Sequence, residues 1–127
     1  MPLVRVSVPR HRSEVDRKAI SAGIHAALKE AFNVPADDLF HIVTEHEPRG
    51  GIVRSASYLG IEYSDDLTFI QITANDTRTV EQKKTLYRLI ARNLAAAPGL
   101  RPQDVFINLV EVKKENWSFG NGEAQYA

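Results

Sequence analysis

Residues 3–8 read LVRVSV, and residues 69–74 read FIQITA. Both stretches are rich in apolar and β-branched residues at the spacing of a short strand. They lie 66 positions apart, and the same shift superposes Ser13 on Thr79 and Asp38 on Asp104. A constant shift that holds over this distance indicates an internal duplication of the chain.

Each half of the duplication predicts the order strand, helix, strand. The first helix starts at Ser13, three residues before Asp16, which is close to a capping box, and it stops before Val34-Pro35. Hydrophobic periodicity predicts strands over residues 3–8, 39–44, 67–73 and 105–112, and helices over residues 13–32 and 79–96.

The expected fold class is α/β (α+β), a tandem β-α-β repeat that forms a four-stranded sheet. Because such connections are right-handed, both helices are expected on one face of the sheet. We expect a single domain over residues 1–127, with repeats at 2–45 and 68–111, a connecting segment at 46–66 and a C-terminal tail at 115–127. The second sheet face has no helices to cover it, which favours oligomerisation.

Composition excludes several classes of function. Lys+Arg and Asp+Glu both number 16, so no basic stripe indicates binding to nucleic acid or to an anionic membrane. The absence of cysteine excludes disulfides and thiolate nucleophiles, and the four histidines lack the spacing of metal ligands. The N-terminus does not resemble a signal peptide and no apolar window is long enough to span a membrane, so we expect a cytoplasmic protein.

Pro2 is the first candidate for chemistry. A proline nitrogen within a peptide bond has no proton to exchange, but a free N-terminal proline is a secondary amine whose charge state depends on its surroundings. This role requires removal of Met1, because a retained Met1 leaves Pro2 acylated. Pro2 equally suits the start of an edge strand, where its missing N–H costs little.

Arg78 is the candidate for holding an anion. It directly precedes Thr79, the apparent cap of the second helix, so a carboxylate there would meet both a guanidinium group and free helix N–H groups. The alternative is a surface arginine paired with Asp76 or Glu81. Its repeat mate is Arg12, so part of this pattern can be inherited from the duplication.

Asp38 is the candidate acid. Its carboxyl group can orient a water molecule, or hydrogen-bond the Pro2 nitrogen or a substrate carbonyl. An aspartate recurs at the same place in the second half as Asp104, which favours instead a turn or capping role for both. The neighbouring Asp37 is an alternative to Asp38.

Three stretches carry a resemblance to a known family. They are FNVPADD at residues 32–38, EQK at residues 81–83 with Leu86-Tyr87, and WSFG at residues 117–120 with Gly122 and Ala124. With the Met-Pro start and the duplicated β-α-β unit, they identify the chain as a member of the tautomerase superfamily, which includes 4-oxalocrotonate tautomerase and macrophage migration inhibitory factor. It is most similar to malonate semialdehyde decarboxylase-like members.

The resemblance implies a homotrimer without a cofactor, acting on a small oxo acid. It implies an active site with Pro2, Asp38 and Arg78 as catalytic residues, and with Arg78 also holding the substrate carboxylate. Trp117, Phe119 and Tyr126 resemble the apolar wall beside the substrate, although a tail packed on the core or on a neighbouring subunit explains them equally well. One feature departs from the family, because Asp76 stands where the decarboxylase carries the first of two arginines.

Three functions follow as hypotheses. The first is decarboxylation or hydration of a 3-oxo acid, in which a cationic Pro2 polarises the carbonyl group. The second is keto–enol tautomerisation of a 2-oxo acid such as phenylpyruvate, in which a neutral Pro2 moves a proton between carbons. The third is a catalytically silent trimer that serves as an interaction protein, which retention of Met1 would favour.

Overall fold

The structure is a computed structural model that describes residues 2–127. The predicted removal of Met1 therefore concerns a residue outside the described range. In chain order the elements are β1 (Leu3–Pro9), α1 (Glu14–Phe32), β2 (His41–His46), β3 (Ser57–Tyr58), β4 (Ile61–Glu62), β5 (Thr68–Asn75), α2 (Val80–Ala96) and β6 (Val105–Val112).

The main sheet has the strand order β2-β1-β5-β6. Strands are parallel within each β-α-β unit, and the two units join through the antiparallel pair β1–β5, in which Leu3 lies opposite Thr73. Strands β3 and β4 form a separate two-stranded hairpin in the connecting segment. The four-stranded sheet of the predicted fold class is confirmed.

The helix starts follow from their capping residues. Ser13 accepts a hydrogen bond from the backbone N–H of Asp16 at 3.1 Å, which satisfies one of the free donors of α1. Thr79 and Gln82 form a complete capping box at the start of α2, because each side chain bonds the backbone N–H of the other. Both caps match the positions that the sequence predicts.

The core lies between the helices and one face of the sheet. Alternate residues of β1, namely Val4, Val6 and Val8, are fully buried there. The helices also pack on each other, and Gly23 permits their close approach, since a Cβ atom there would lie 2.9 Å from a methyl carbon of Leu94. Both helices therefore cover the same sheet face, as predicted.

The opposite sheet face is open to solvent. Arg5, Phe69 and Phe106 contribute to a shallow depression on it. Phe106, on the edge strand β6, retains 43% of its surface exposed. An uncovered sheet face that exposes large apolar side chains among polar ones is typical of a surface that another chain covers.

The strand boundaries differ in detail from the prediction. Strand β2 begins at His41 rather than Leu39, because the chain still turns at Asp38, whose backbone N–H bonds the carbonyl of Pro35 at 3.0 Å. Strand β5 runs from Thr68 to Asn75 rather than over 67–73. The hairpin of β3 and β4 was not predicted, and its turn contains Gly60 with a φ angle of 78°.

Candidate active site

Pro2 lies buried immediately before β1. Two neighbours fix its position. On one side Leu3 pairs with Thr73, so Pro2 lies beside the last residues of β5. On the other side the backbone N–H of Val4 donates to the carbonyl of Phe40 at 3.0 Å, which brings the segment entering β2 alongside. Pro2 therefore lies between the end of β5 and the start of β2.

Asp38 is carried by the turn that enters β2. Helix α1 ends at Phe32 and is capped by Asn33, whose φ angle of 55° lies in the left-handed region, and the Val34 N–H bonds back to the Leu28 carbonyl at 3.4 Å. The chain then turns over Pro35 and delivers Asp38, which is half-buried, whereas Asp37 is exposed. Of the two aspartates, Asp38 is the one that faces the interior.

Arg78 is packed against the C-terminal end of α1. Its Nη2 atom donates to the Phe32 carbonyl at 3.2 Å, and its guanidinium carbon lies 4.7 Å from the centre of the Phe32 ring. Burial lowers the pKa of the guanidinium below its ordinary value, and the nearby Asp38 carboxylate opposes that shift. Arg78 and Asp38 are thus brought together.

The sequence left open whether Arg78 pairs with Asp76 or Glu81. Among residues 2–127 it forms no ion pair with either of them, and Glu81 instead faces Lys84 at 3.9 Å. Arg78 therefore belongs to the cluster at the end of α1. Its charge is also favoured there by the partial negative charge at the C-terminus of a helix.

The three aromatic residues of the tail form one cluster. The rings of Trp117 and Phe119 stack at 5.5 Å between centres, and Phe119 meets Tyr126 edge-on at 4.8 Å. The indole N–H of Trp117 donates to the Asn75 side chain at 2.8 Å, which attaches the cluster to the end of β5. The predicted aromatic residues thus lie at the same end of the sheet as Pro2.

A cavity of about 410 Å³ lies beneath this tail. It is lined by Asn75, Lys114, Gln125 and Tyr126. Asn75 is 7% exposed, although it is polar and ends a strand.

Sequence analysis missed Asn75 because its partner Trp117 is 42 positions away, and no local pattern marks that pairing. It also missed the contact between Arg78 and Phe32.

The repeat mates of the candidate residues have other partners. Asp104 is fully buried and accepts hydrogen bonds from the backbone and hydroxyl of Ser64, at 2.8 and 2.6 Å, and from Arg101 at 3.0 Å. Burial opposes ionisation of Asp104, but these bonds outweigh it and hold the pKa of its carboxyl below the usual value. Arg12 lies 3.5 Å from Asp16 and 3.7 Å from Asp66.

The described residues show neither a metal-binding cluster nor a helix that could span a membrane. Residues 2–127 contain no group of three or more histidine, aspartate or glutamate side chains arranged to hold a metal ion. Within the same range, neither helix combines the length and apolar character that crossing a membrane requires.

Known proteins resemble this chain over nearly its whole length. Two family profiles, each described as tautomerase enzyme, match residues 38–120 and residues 2–57. The probable tautomerase YusQ of Bacillus subtilis (strain 168) is 42% identical, with 98% of both chains covered. The probable tautomerase YrdN of the same organism is 33% identical, with 99% of this chain and 96% of the relative covered.

Solved structures give the same assignment. A malonate semialdehyde decarboxylase inhibited by 3-bromopropiolate is 37% identical and superposes with a TM-score of 0.90, covering 98% of this chain and 93% of that one. A second malonate semialdehyde decarboxylase, studied for its decarboxylase and hydratase activities, is 31% identical with a TM-score of 0.90, over 98% and 95% of the two chains. The chain belongs to the tautomerase superfamily and is an enzyme of that superfamily.

Proposed function

We propose that this enzyme uses the secondary amine of Pro2, freed by removal of Met1, as a general acid/base on a small oxo acid. The observation that carries the proposal is the convergence at one sheet end of three groups that lie far apart in sequence. These are the buried Pro2, the half-buried Asp38 and Arg78, whose guanidinium is held against Phe32. Ionisable groups that are buried close together often have shifted pKa values, which is a common property of groups that transfer protons in catalysis.

The charge on the Pro2 amine is set by opposing effects. Burial and the Arg78 cation favour the neutral amine, whereas the Asp38 carboxylate favours the cation. Arg78 retains its charge despite burial, since guanidinium groups stay protonated in proteins. Its free N–H groups are therefore available to hold a substrate carboxylate.

We propose decarboxylation or hydration of a 3-oxo acid as the reaction. In decarboxylation, cationic Pro2 hydrogen-bonds the carbonyl oxygen while the carbon–carbon bond to the carboxylate breaks. The bonding electrons move towards the carbonyl as an enolate, carbon dioxide leaves, and the enolate carbon then takes up a proton. In hydration, the same polarised carbonyl accepts water. The 37% and 31% identities to two malonate semialdehyde decarboxylases support this choice.

Keto–enol tautomerisation of a 2-oxo acid such as phenylpyruvate is the second candidate. Asp76 favours it, because an acidic residue there removes a cation on which the decarboxylase reaction relies. The two Bacillus relatives are both named probable tautomerases. In this reaction neutral Pro2 would take a proton from one carbon and return it to another, so that only a base and a carboxylate anchor are required.

We also propose that the enzyme is a homotrimer. The open sheet face with its exposed Phe106 supports assembly, because it leaves apolar surface in water that a neighbouring chain would bury. A structure of fused 4-OT with the same fold, 20% identical with a TM-score of 0.78, is described as a symmetric trimer. Light scattering should give a mass three times that of the chain.

The test begins with an intact mass of the purified protein. Loss of one methionine is expected, and full retention would favour the catalytically silent trimer. The protein is then assayed with malonate semialdehyde, by carbon dioxide release, and with phenylpyruvate, by loss of enol absorbance. We expect faster turnover of the 3-oxo acid.

The control is Pro2→Ala, which keeps an N-terminal amine but replaces the secondary amine with a primary one. A general acid/base in its ideal position contributes about 100- to 10,000-fold, so the variant should lose activity within that range. Full activity of Pro2→Ala on both oxo acids would contradict both enzymatic reactions. Activity confined to phenylpyruvate would favour the tautomerase.

A further inference from the structure

The cavity beneath the tail is lined by side chains that donate hydrogen bonds. An indole nitrogen only donates, so Asn75 must present its carboxamide oxygen to Trp117, which leaves its NH2 group as the remaining donor. Both polar groups of Gln125 are engaged within the tail, by Phe119 N–H at 3.0 Å and by the Gly120 carbonyl at 2.9 Å. What Asn75 still offers to the cavity is therefore a donor.

Lys114 adds a positive charge to the same cavity. Among residues 2–127 its ammonium group makes no hydrogen bond or ion pair, and the Tyr126 hydroxyl likewise has no partner. No carboxylate is found among the described residues that line the cavity. An ammonium, an amide NH2 and a phenolic hydroxyl together form a lining suited to an anionic oxygen.

The cavity also adjoins the proposed reaction centre. Because Leu3 pairs with Thr73, Pro2 lies beside the end of β5, and Asn75 is the last residue of that strand. Lys114 follows β6 closely, and Val112 at the end of β6 pairs with Asn75. Strand β5 thus lies between β1, which Pro2 precedes, and β6, which Lys114 follows, and Asn75 at its end lies between the two groups.

We propose that Lys114 and Asn75 form a second anion subsite, which selects oxo acids that carry a further carboxylate besides the one held by Arg78. Because it presupposes that Pro2 is the reacting amine, this subsite rests on the proposed function. It assigns two roles to two cations. Arg78 anchors the carboxylate next to the reacting carbonyl, whereas Lys114 determines the preference for the distal end of the substrate.

Binding of unreactive acids tests the subsite without turnover. Glutarate differs from butyrate only by a carboxylate in place of a terminal hydrogen, so the pair isolates the second anionic group. The chain has a single tryptophan, and its indole N–H is bonded to Asn75. The nitrogen–proton NMR signal of Trp117 in labelled protein therefore reports directly on the cavity wall during each titration.

We expect glutarate to shift the Trp117 signal in a saturable manner and to bind more tightly than butyrate. Lys114→Gln should weaken glutarate binding by about 5-fold, the upper range for a solvent-accessible ion pair, and leave butyrate binding unchanged. Lys113→Gln is the matched control, since it removes the adjacent exposed charge, which does not line the cavity. Lys114→Arg should retain the preference.

Four results would each overturn the subsite: equal affinity for the two acids, no binding of glutarate, unchanged glutarate binding by Lys114→Gln, or the same loss in Lys113→Gln. The proposed function fails separately. Pro2→Ala should lose activity but still bind glutarate. If the original enzyme is inactive but binds glutarate more tightly than butyrate, the subsite stands and the proposed function fails. If it is active but binds both acids equally, the proposed function stands and the subsite fails.

Discussion

The two ends of the sheet are related by the 66-residue shift, yet they differ in how their charges are arranged. At one end stand Pro2, Asp38 and Arg78, and at the other their mates Thr68, Asp104 and Arg12. Each mate has partners among the side chains or backbone of the same chain, although the buried Nε atom of Arg12 makes no hydrogen bond among residues 2–127. Thr68 is fully buried and its hydroxyl donates to the Asp66 carbonyl at 3.1 Å.

Each β-α-β unit is followed by a segment that covers one of these ends. The connecting segment supplies Ser64 and Asp66 to the Thr68 end, where they pair with Asp104 and Arg12. The C-terminal tail covers the Pro2 end through Trp117, and a cavity of about 410 Å³ remains beneath it. The two segments therefore differ. The connecting segment fills the Thr68 end with bonded partners, whereas the tail leaves a cavity at the Pro2 end.

The largest expected contrast lies between the two arginines. Arg78→Ala should lower kcat/KM for the preferred oxo acid by about 100- to 1,000-fold, the loss typical of one preorganised charge donor, with a raised KM as well as a lowered kcat. Arg12→Ala should lower Tm, because its side chain is only 11% exposed between Asp16 and Asp66, but leave kcat/KM unchanged. Equal losses of activity in both variants would contradict functional division of the two ends.

The two aspartates should show the same division between activity and stability. Asp104→Asn should lower the free energy of unfolding by about 2 kcal/mol, the typical contribution of hydrogen bonds to a charged group, since Asp104 is buried but its partner Arg101 is half exposed. Asp38→Asn should lower activity with a smaller loss of stability. Urea denaturation and steady-state kinetics on both variants measure this contrast.

The Asp104 contribution also depends on pH in a defined direction. Its folded pKa lies below the unfolded value of about 3.9, so the stabilisation is present above that value and is lost as pH falls through the folded pKa. The stability difference between the original protein and Asp104→Asn should therefore shrink at acidic pH. A difference that stays constant down to the lowest accessible pH would refute this assignment.

A smaller contrast concerns His41, whose repeat mate is Ile107. His41 bonds Ser21 at 2.6 Å and lies edge-on to His25, and burial followed by the charge of His25 lowers its pKa to about 4. The unfolded chain binds more protons between the two pKa values, so stability should fall by about 2 kcal/mol from about pH 7 to about pH 5. His41→Ile, which introduces the mate's residue, should flatten that part of the profile.

Chemical denaturation across this pH range measures the effect of His41. The control is Ile42→Val on the same strand, which changes an exposed side chain that cannot titrate, so the slope should be retained. An unchanged slope in His41→Ile would contradict the assignment of this pH dependence to His41.

Local patterns in the sequence were sufficient to predict the fold. Strand alternation in residues 3–8, the caps at Ser13 and Thr79 and the constant shift determine the order of elements. The hairpin of β3 and β4 was missed because its strands have only two residues each, too few to show a period. Only Gly60 marked the turn between them.

The candidate site was less accessible to sequence reasoning. Asp38 and Asp104 occupy the same place in the repeat, so the pattern alone cannot separate them. What distinguishes them is Ser64, which lies 40 positions from Asp104 in a segment outside the repeat. Asn75 and Lys114 were not identified for a similar reason. The folded tail forms the cavity that they line, and no spacing in the sequence predicts it.

An NMR titration of protein with nitrogen-labelled Pro2 tests the central claim most directly, since it observes the proposed catalytic atom itself. For a decarboxylase or hydratase we predict a titrating amine with a pKa well above the ordinary α-amino range of about 7.7–8.0, falling in Asp38→Asn. A pKa well below that range would transfer the assignment to the tautomerase. An absent titration, or a pKa at the ordinary value that Asp38→Asn does not move, would contradict a functional Pro2 amine.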